Sequence, residues 1–434
     1  MGNRRFTADA VVTCDADDSV FAPGVVDTVN GRIAWVGPAD SAPVVDDTVP
    51  VEDVGGLLMP GLVNAHCHTP MTLMRGSGDG LPLHRWLTEA MWPREGRMTR
   101  EDAWWGMTLG SAEMLLAGVT TSCEMYLFEE EVVDAVRESG ARLVMTPGVV
   151  SALHSSGSDR AAEISDFFSR YHDPSGRVTV GIAPHSAYDL GVAAVVEFAE
   201  LARSLDTVLH VHLAETREES TELEDAYGHS ITRILHDHGV FDGRVLAAHC
   251  VWVDAADMEL LAANGVAVAH CPVSNMKLGS GIAPLAAMRE AGVTVGYGTD
   301  GPASNDSLDL WEEVKVAALL AKVHALDSTV ISATESLAMA TRYSAAAVGL
   351  DDTGFLAPGN ALDMIRIDLE QSTFVPMTDT DELLAHLAWS GSSREVTDVW
   401  VAGDKVVAGG EVLSIDTERA IAEVRQRALR LARG

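Results

Sequence analysis

Eight short apolar segments alternate with helical segments through the middle of the chain, and this alternation restricts the possible folds more than any other feature. Segments with the periodicity of amphipathic helices, such as EDAWWGMTLGSAEMLLA and GVAAVVEFAELARSL, separate the apolar ones. Regular alternation of strands and helices favours a parallel sheet, and eight repeats over roughly 300 residues predict an α/β fold, a (β/α)8 barrel. The predicted strands lie in LLMPGLVNAHCH, GVTTSCEMY, RLVMTPGVV, VTVGIAPHS, TVLHVHLAE, VLAAHCV, VAVAHCPVS and VTVGYGTDG.

Both ends of the chain have a different pattern, in which short β-rich pieces are broken by Gly, Pro and Asp. This pattern is typical of hairpins, and VNGR near the start has the Asn-Gly pair of a tight two-residue turn. We therefore expect a small β-sandwich assembled from both ends. The predicted division assigns residues 1–58 to the first part of the sandwich, 59–358 to the barrel, and 359–434 to the rest of the sandwich and a terminal helix.

The composition disfavours several classes of partner. The chain has 64 acidic and 30 basic residues, a formal net charge of −34, and such a field repels phosphate backbones and anionic membrane surfaces. The chain has no apolar run long enough to span a membrane and no signal-peptide pattern at its start. Its 5 cysteines lack paired spacing, which fits a reducing compartment. We expect a cytoplasmic protein that binds neither nucleic acid nor membranes.

Residues that can bind a metal gather at the ends of the predicted strands. His66 and His68 stand two apart at the end of the first strand, so both rings face the same side. The later strands end in His185, His210 and His212, His249, His270, and Asp300. Because reactive groups collect at the C-terminal ends of the strands in such barrels, these residues predict a common site. Imidazoles and a carboxylate around a divalent cation, with a position left open for water, assist hydrolysis.

Two residues next to this cluster have the chemistry of proton transfer. Glu215 follows His212 by three residues, where a carboxylate can move protons between water and a substrate. His249 would polarise or hold the attacking water. Alternation along the strand does not decide whether His210 or His212 binds the metal, because both share one face. We interpret His270 as a packed or capping residue.

These residues occur in segments that resemble a known family. PGLVNAHCHTPMTLMRG, HLAE, AHC and GTDGPASNDSLDL are similar to the cytosine-deaminase-like and chlorohydrolase-like branch of the amidohydrolase superfamily. The stretch WPREGRMTREDAWWGMTLGSAEMLLAGVTTSCEMY resembles the 5′-methylthioadenosine/S-adenosylhomocysteine deaminases, and the resemblance extends over nearly the whole chain. It implies a metal-dependent aminohydrolase that converts the C6 amino group of an adenine nucleoside, giving the inosine analogue and ammonia. The substrate would be adenosine, 5′-deoxyadenosine, 5′-methylthioadenosine or S-adenosylhomocysteine.

The resemblance also bears on the metal. It favours His212 over His210 and implies the ligand set His66, His68, His212 and Asp300, with Glu215, His249 and Asp300 as catalytic residues. Binuclear members of the superfamily bridge two metals through a carboxylated lysine on a middle strand, whereas the first lysine of this chain is Lys277. We therefore expect one divalent metal ion per subunit. Zn²⁺ is the first expectation, and these ligands also suit Fe²⁺.

The family resemblance further implies which residues bind the nucleoside. Glu95 would accept hydrogen bonds from the ribose hydroxyls, and His185 would contact the ring or the ribose. Trp86 would lie against the purine or the 5′ substituent, although a tryptophan at such a position is as often part of the core. Arg160 matches a second family arginine that pairs with a carboxylate. The arginine that homologues place after the third strand is missing, because this chain has Met145-Thr146-Pro147-Gly148 there. A small neutral 5′ substituent therefore fits as well as S-adenosylhomocysteine.

Other functions use the same scaffold. One alternative is deamination of guanine, 8-oxoguanine, a pterin or an aminofutalosine-type nucleoside, and another is a triazine chlorohydrolase or aminohydrolase. A barrel that has lost catalysis is disfavoured, because the predicted metal-binding and catalytic residues are all present. We also expect a homo-oligomer, for which one of the adjacent Trp104 and Trp105 is a candidate contact, since only one of them can face the core of a helix.

Overall fold

A computed structural model describes residues 2–152 and 157–433 of the chain. Its N-terminal part is β-rich and contains β1 (Arg4–Ala8), β2 (Ala10–Val12), β3 (Val20–Phe21), β4 (Gly24–Val29), β5 (Arg32–Pro38), β6 (Val51–Asp53) and β7 (Leu57–Pro60). β4 and β5 form the predicted hairpin. Its turn residues Asn30 and Gly31 both have positive φ, 51° and 78°, which is the backbone that an Asn-Gly turn adopts readily.

The predicted barrel follows, and the structure confirms it. Its strands are β8 (Leu62–Cys67), β9 (Val119–Tyr126), β10 (Arg142–Val149), β11 (Val178–Val180) with its short continuation β12 (Ala183–Pro184), β13 (Leu209–Leu213), β14 (Val245–His249), β15 (Ala267–His270) and β16 (Val295–Tyr297). Neighbouring strands pair in parallel. Two bridges join the halves of the barrel, Ile182 with Leu209 and Cys67 with Asp300. The second bridge brings the ends of the first and last strands together.

Burial explains why these strands are apolar along their whole length. Every residue of β8, β9 and β10 is buried, because one face of each strand points into the barrel and the other packs against helices. A buried parallel strand therefore has a nearly continuous apolar sequence rather than an alternating one. The polar exceptions, such as His66 and Glu124, are the informative positions.

Helices surround the barrel and extend to the end of the chain. They are α1 (Leu83–Arg85), α2 (Trp92–Glu95), α3 (Arg100–Leu116), α4 (Glu129–Ser139), α5 (Gly157–Tyr171), α6 (Ala187–Leu190), α7 (Val192–Ser204), α8 (Arg217–Tyr227), α9 (Ile231–Asp237), α10 (Ala255–Ala263), α11 (Pro272–Lys277), α12 (Leu285–Glu290), α13 (Leu310–Ala325), α14 (Ala333–Met339), α15 (Arg342–Ala347), α16 (Asp381–Trp389) and α17 (Thr417–Arg433). Within the described ranges, none of these helices has the length and apolarity of a membrane span.

Strands from both ends of the chain share one sheet. The C-terminal strands are β17 (Met364–Ile367), β18 (Val396–Val401), β19 (Asp404–Ala408) and β20 (Glu411–Val412). The order of this sheet is β20-β19-β18-β17-β7-β2-β3, and a second sheet has the order β5-β4-β1-β6. The common sheet agrees with the expectation that the two ends assemble together, while the domain boundaries proposed above remain a prediction.

The terminal helix α17 packs on α3, the helix that leads into the second barrel strand. Thr99 caps the start of α3 and forms a capping box with Asp102, whose fully buried carboxylate also pairs with Arg427 and Arg430 of α17. The same region contains the adjacent tryptophans, of which Trp105 is buried and Trp104 is half-buried.

Candidate metal centre and substrate cavity

Five predicted side chains converge at the C-terminal end of the barrel. His66 lies on β8, His212 on β13 and His249 at the end of β14, while His68 and Asp300 directly follow β8 and the last strand. Ligand atoms of His66, His212 and His249 lie within 4.8 Å of one another, and so do those of His66, His68 and Asp300. The structure therefore brings the predicted ligands into one cluster.

Hydrogen bonds to backbone carbonyls fix the proton positions on two of these rings. Nδ1 of His68 lies 2.5 Å from the carbonyl oxygen of Met125, and Nδ1 of His212 lies 2.9 Å from that of His185. A carbonyl oxygen only accepts, so each Nδ1 carries the proton. In the neutral rings Nε2 then has a free lone pair, as a metal ligand requires.

A third ring is oriented by a series of hydrogen bonds between side chains inside the barrel. The hydroxyl of Thr146 donates to the carbonyl of Glu124 at 2.8 Å, so its oxygen accepts from Nδ1 of His210 at 3.1 Å. Nε2 of His210 is then the acceptor for Nδ1 of His66, which lies 2.8 Å away. These hydrogen bonds leave the lone pair of His66 on Nε2, the atom that faces the cluster. His210 thus supports a ligand and is not itself in the cluster.

Asp300 is held on both carboxylate oxygens. Ser274 and Ser304 donate hydroxyl hydrogen bonds to Oδ2 at 2.6 and 3.0 Å, and the amide of Gly301 donates to Oδ1 at 2.8 Å. Nε2 of His66 and of His68 lie 3.5 and 3.3 Å from Oδ1. Burial by itself would raise the pKa of Asp300, but its contacts with the two histidines outweigh burial and hold that pKa well below its usual range.

This donor set fits a divalent metal ion. Nε2 of His66 is buried and has no hydrogen-bond partner among the described residues, which is costly for a polar atom unless a cation takes the place of the partner. Imidazole nitrogens combined with one carboxylate suit zinc and other transition metals. Burial also lowers the pKa of His66 and His212, which keeps both rings in the neutral form that binds metal.

His249 differs from the other histidines in its proton position. The side-chain amide nitrogen of Asn275 lies 3.0 Å from Nδ1, and because this nitrogen donates, Nδ1 is the acceptor. Nε2 therefore carries the proton in the neutral ring, and burial lowers the pKa of His249 to about 3. An N–H at Nε2 cannot bind a metal but can donate to a water or an oxyanion beside it. This geometry separates His249 from the ligands.

Glu215 faces His249 and is buried beside it. Its carboxylate oxygen Oε2 lies 3.8 Å from Nε2 of His249. Burial, together with the nearby carboxylates of Asp300 and Glu219, raises the pKa of Glu215 well above its usual range. A raised pKa favours the protonated form of the side chain, which is the form that a general acid needs.

Glu219 fixes the backbone that carries Glu215. Its buried carboxylate accepts a hydrogen bond from the amide of Glu215 at 2.9 Å and also receives the amides of Thr216 and Ala214. Burial nevertheless raises the pKa of Glu219 to about 7. Ala214 has a φ of 51°, in the left-handed region that is unfavourable for a residue with a Cβ. The carboxylate thus stabilises a strained turn that directs Glu215.

A cavity of about 320 Å³ opens from this cluster, a size within the range of small-molecule pockets. Its lining includes the predicted residues Trp86, Glu95, His185, Glu215, His249 and Asp300, and it adds Met71, Leu83, Leu87, Trp92, Tyr126, Leu127, Val150, Tyr188 and Leu278. Burial raises the pKa of Glu95, although the hydroxyl of Tyr126 opposes this shift with a hydrogen bond. The ring nitrogen of Trp86 donates to the carbonyl of Ser77 at 3.3 Å.

Two predicted residues lie apart from the cavity. The guanidinium of Arg160 contacts the carboxylates of Glu129 at 3.0 Å and Glu163 at 3.2 Å, and it donates to the carbonyl of Gly148 at 3.2 Å. Gly148 lines the cavity, so Arg160 stands behind the wall and the structure does not bring it together with the other candidate substrate residues. His270 is buried in the barrel beside Tyr297, away from the lining, as its interpretation as a packed residue implies.

Sequence reasoning missed the residues that hold the metal-binding side chains in place. They are Thr146, Ser274, Asn275 and Ser304, whose contacts are given above. Thr146 lies in barrel strand β10, whereas Ser274, Asn275 and Ser304 lie in the segments that follow β15 and β16, and all four are buried. Only Thr146, a polar residue within an apolar strand, had a signal in the sequence, because a buried polar residue needs a hydrogen-bond partner.

Comparisons with known proteins identify the family of the chain. Residues 57–406 match the Amidohydrolase family. A 5-methylthioadenosine/S-adenosylhomocysteine deaminase from Pelotomaculum thermopropionicum is 39% identical, over 99% of this chain and 99% of that protein. The crystal structure of an adenosine deaminase from Xanthomonas campestris with bound zinc has a TM-score of 0.94 at 33% identity and covers 99% of each chain. Atrazine chlorohydrolase from Arthrobacter aurescens, complexed with zinc, has a TM-score of 0.90 at 25% identity, with 98% of this chain and 99% of that chain covered. The chain belongs to the amidohydrolase family.

Proposed function

We propose that the protein is a metal-dependent aminohydrolase that deaminates the C6 amino group of an adenine nucleoside. The observation that carries the proposal is one cavity that joins the histidine and aspartate cluster to buried Glu215 and, further along its wall, to Glu95. The names of the relatives, deaminases of 5-methylthioadenosine, S-adenosylhomocysteine and adenosine, support the same reaction.

In this proposal His66, His68, His212 and Asp300 hold one divalent ion, with Zn²⁺ as the first candidate and Fe²⁺ as the second. The ion lowers the pKa of water and supplies a nucleophile at neutral pH. The lysines support a single ion, because a second ion would need a bridging lysine on a middle strand of the barrel. Lys277 is the first lysine in the sequence, and its Nζ contacts the carboxylate of Asp306 and the carbonyl of Ala303 instead.

The protein residues supply the proton transfers. The N–H at Nε2 of His249 donates to the attacking oxygen and orients it towards C6. Glu215 gives its proton to ring nitrogen N1, so that C6 accepts the oxygen without a full negative charge developing on the ring. Glu215, or the pair of Asp300 and His249, takes the proton that the water releases. That proton passes to the amino group, C6 expels ammonia, and the hydroxyl proton that remains on C6 returns to Glu215, which leaves the hypoxanthine ring and restores the acid.

Three further residues position the nucleoside. Glu95 is a carboxylate on the cavity wall, and an acceptor of this kind suits the two ribose hydroxyls. His185 lies beside His212, where it can contact the ring or the ribose. Trp86 is nearly buried, so its contribution is an apolar surface for the base or the 5′ substituent.

Two expectations about the whole protein belong with this proposal. We propose a cytoplasmic protein, and its five cysteines, all free and buried in the described structure, are consistent with a reducing compartment. We also propose a homo-oligomer, in which half-buried Trp104 is the candidate contact because Trp105 packs inward.

A substrate panel tests the function. We expect ammonia release and an ultraviolet change with adenosine, 5′-deoxyadenosine or 5′-methylthioadenosine, and much less with guanine or a chlorotriazine. Triazine hydrolysis is the second candidate because of the structural similarity to atrazine chlorohydrolase. Glu95→Gln separates the two, since only a nucleoside has a ribose for Glu95. The proposal fails if no adenine nucleoside is converted, or if Glu95→Gln leaves the preference for adenosine over adenine unchanged.

A further inference from the structure

We infer that the cavity accepts adenine nucleosides whose 5′ substituent carries no negative charge, and that it discriminates against those with a carboxylate or phosphate there. The inference rests on the proposed function and concerns the part of the substrate that the reaction leaves unchanged. Three observations carry it: the charges on the cavity wall, the apolar side chains of that wall, and the partners of Arg160.

Among the described residues, the cavity wall has no lysine or arginine that could pair with an anion. The wall carboxylate that lies away from the candidate metal cluster and Glu215 is Glu95. A buried carboxylate or phosphate loses its hydration and regains that free energy only from a cation or from several donors. Away from the candidate metal cluster and Glu215, the described wall therefore offers an anion the carboxylate of Glu95 and no basic side chain.

The rest of the wall is suited to an uncharged group. Aliphatic and aromatic side chains of Leu83, Trp86, Leu87, Trp92, Leu127 and Val150 form it. The ring N–H of Trp86 already donates to the carbonyl of Ser77, so it adds no donor to this surface. A methyl, methylthio or hydroxymethyl group can contact such a wall without leaving a charge unpaired.

Arg160, the arginine that the family resemblance suggests for a substrate carboxylate, is occupied elsewhere. Arg160 reaches the carbonyl of Gly148 from behind the wall, but its charge is balanced by Glu129 at 3.0 Å, and both side chains are largely buried. Glu163, which is more exposed, lies 3.2 Å away on the other side. Moving Arg160 to a substrate carboxylate would leave Glu129 buried without its partner, which is strongly unfavourable.

Matched substrate pairs test the inference on the unmodified, zinc-loaded enzyme. One pair is adenosine and adenosine 5′-monophosphate, and the other is 5′-deoxy-5′-(carboxymethylthio)adenosine and its methyl ester. The ester is larger than the acid but carries no charge, so it separates charge from size. We expect kcat/KM for the anionic member of each pair to be at least about 100-fold below that of its uncharged partner. Equal kcat/KM within both pairs would overturn the inference.

An arginine variant provides the second arm. Because Arg160 does not contact the substituent, Arg160→Gln should leave the ratio of kcat/KM for 5′-methylthioadenosine and S-adenosylhomocysteine unchanged. Glu163→Gln is the matched control, since it removes only the exposed partner of Arg160. A selective loss of S-adenosylhomocysteine in Arg160→Gln would overturn the inference and assign Arg160 to the substrate. If no adenine nucleoside is converted at all, the proposed function fails, whereas active conversion without discrimination refutes only this inference.

Discussion

Nε2 of His249 lies 3.8 Å from a carboxylate oxygen of Glu215, and both side chains are almost completely buried. The hydrogen bond from Asn275 places the proton of the neutral His249 ring on this nitrogen, and burial raises the pKa of Glu215. The cavity wall therefore presents the N–H of His249 beside the carboxyl group of Glu215. In the proposed function, this arrangement separates the candidate metal ligands from the candidate proton-transfer residues.

Glu215→Gln tests the proton-transfer role. We expect kcat to fall by about 100-fold to 10,000-fold, because an amide cannot deliver a proton to the ring. Metal content should remain that of the unmodified protein, since Glu215 is not among the proposed ligands. Exposed Glu218 on the same turn is the control, and Glu218→Gln should retain full activity. A Glu215→Gln enzyme with near-normal kcat would exclude the assignment.

Removal of the metal should abolish activity and lower the melting temperature. The cluster buries an unpartnered Nε2 of His66, and a bound ion stabilises the folded state in proportion to the logarithm of its concentration over Kd. Dialysis against a chelator followed by calorimetry and ammonia assay provides the measurement. Zinc should restore both properties at one equivalent per chain, and full activity in the metal-free protein would contradict the proposal.

His210→Gln should weaken metal binding without touching a ligand. His210 accepts from Nδ1 of His66 and so selects the tautomer that exposes Nε2, and loss of such a supporting contact lowers metal affinity by about 10-fold to 100-fold. Competition with a chromogenic chelator measures the affinity. His270→Gln is the control, because that buried histidine lies two strands away on β15 and outside the cavity wall. Equal metal affinities for the two variants would argue against a supporting role for the hydrogen bonds that link Thr146, His210 and His66.

Glu219→Gln should reduce kcat more than it changes KM. Glutamine replaces one carboxylate oxygen by an N–H donor and leaves an uncharged acceptor, so the hydrogen bond to the amide of Glu215 weakens and the turn at Ala214 relaxes. A displacement of this kind in a catalytic group costs about 10-fold to 100-fold in rate. Exposed Glu222 on the same helix supplies the control variant, Glu222→Gln. A change confined to melting temperature would reduce Glu219 to a purely structural role.

Glu313 should make the stability of the protein depend on pH. Its fully buried carboxylate accepts from Asn305 and from the amide of Val273, and burial raises its pKa from 4.5 to about 8. The unfolded chain releases this proton near pH 4.5, so the stabilisation is complete below that pH and is lost as the pH rises to about 8. The loss amounts to a few kcal/mol, since each pKa unit corresponds to about 1.4 kcal/mol.

Urea unfolding at pH 6 and pH 9 measures this effect. The difference in unfolding free energy between the two pH values should be smaller in Glu313→Gln than in the unmodified protein, because glutamine does not titrate. Exposed Glu312 gives the matched control, and Glu312→Gln should keep the full difference. Identical pH dependence in all three proteins would show that Glu313 does not titrate in this range.

The sequence was sufficient for the barrel and for the cluster at its C-terminal end. The spacing of His66 and His68 and the position of Asp300 after the last apolar segment are local features, and the barrel topology brings strand ends together whatever the intervening residues are. The neighbouring sequence does not decide whether His210 or His212 belongs to the metal cluster. Both share a strand face, and only their depth in the barrel decides which one reaches the cavity and which one supports His66.

Arg160 illustrates the other limit of sequence reasoning. Its position matches an arginine of the family, but its charge is balanced by Glu129, which lies on a different helix and 31 residues earlier. Side-chain pairing across segments depends on helix orientation, which neither periodicity nor motif spacing specifies. The same reason explains why Ser274 and Ser304, both bound to one oxygen of Asp300, escaped prediction.

The pairing of β7 with β17 has a consequence for how the protein is made. Leu57 pairs with Ile367 and Pro60 with Met364, so the ribosome releases β7 long before its partner has been translated. The edge of the apolar strand Leu57–Pro60 that pairs with β17 stays unpaired until residues 364–367 have been translated. Closure of so long a loop slows folding. A product truncated after the barrel would display this strand permanently and offer it to other nascent chains. Intact translation to the last strands is therefore what keeps the start of the chain from aggregating.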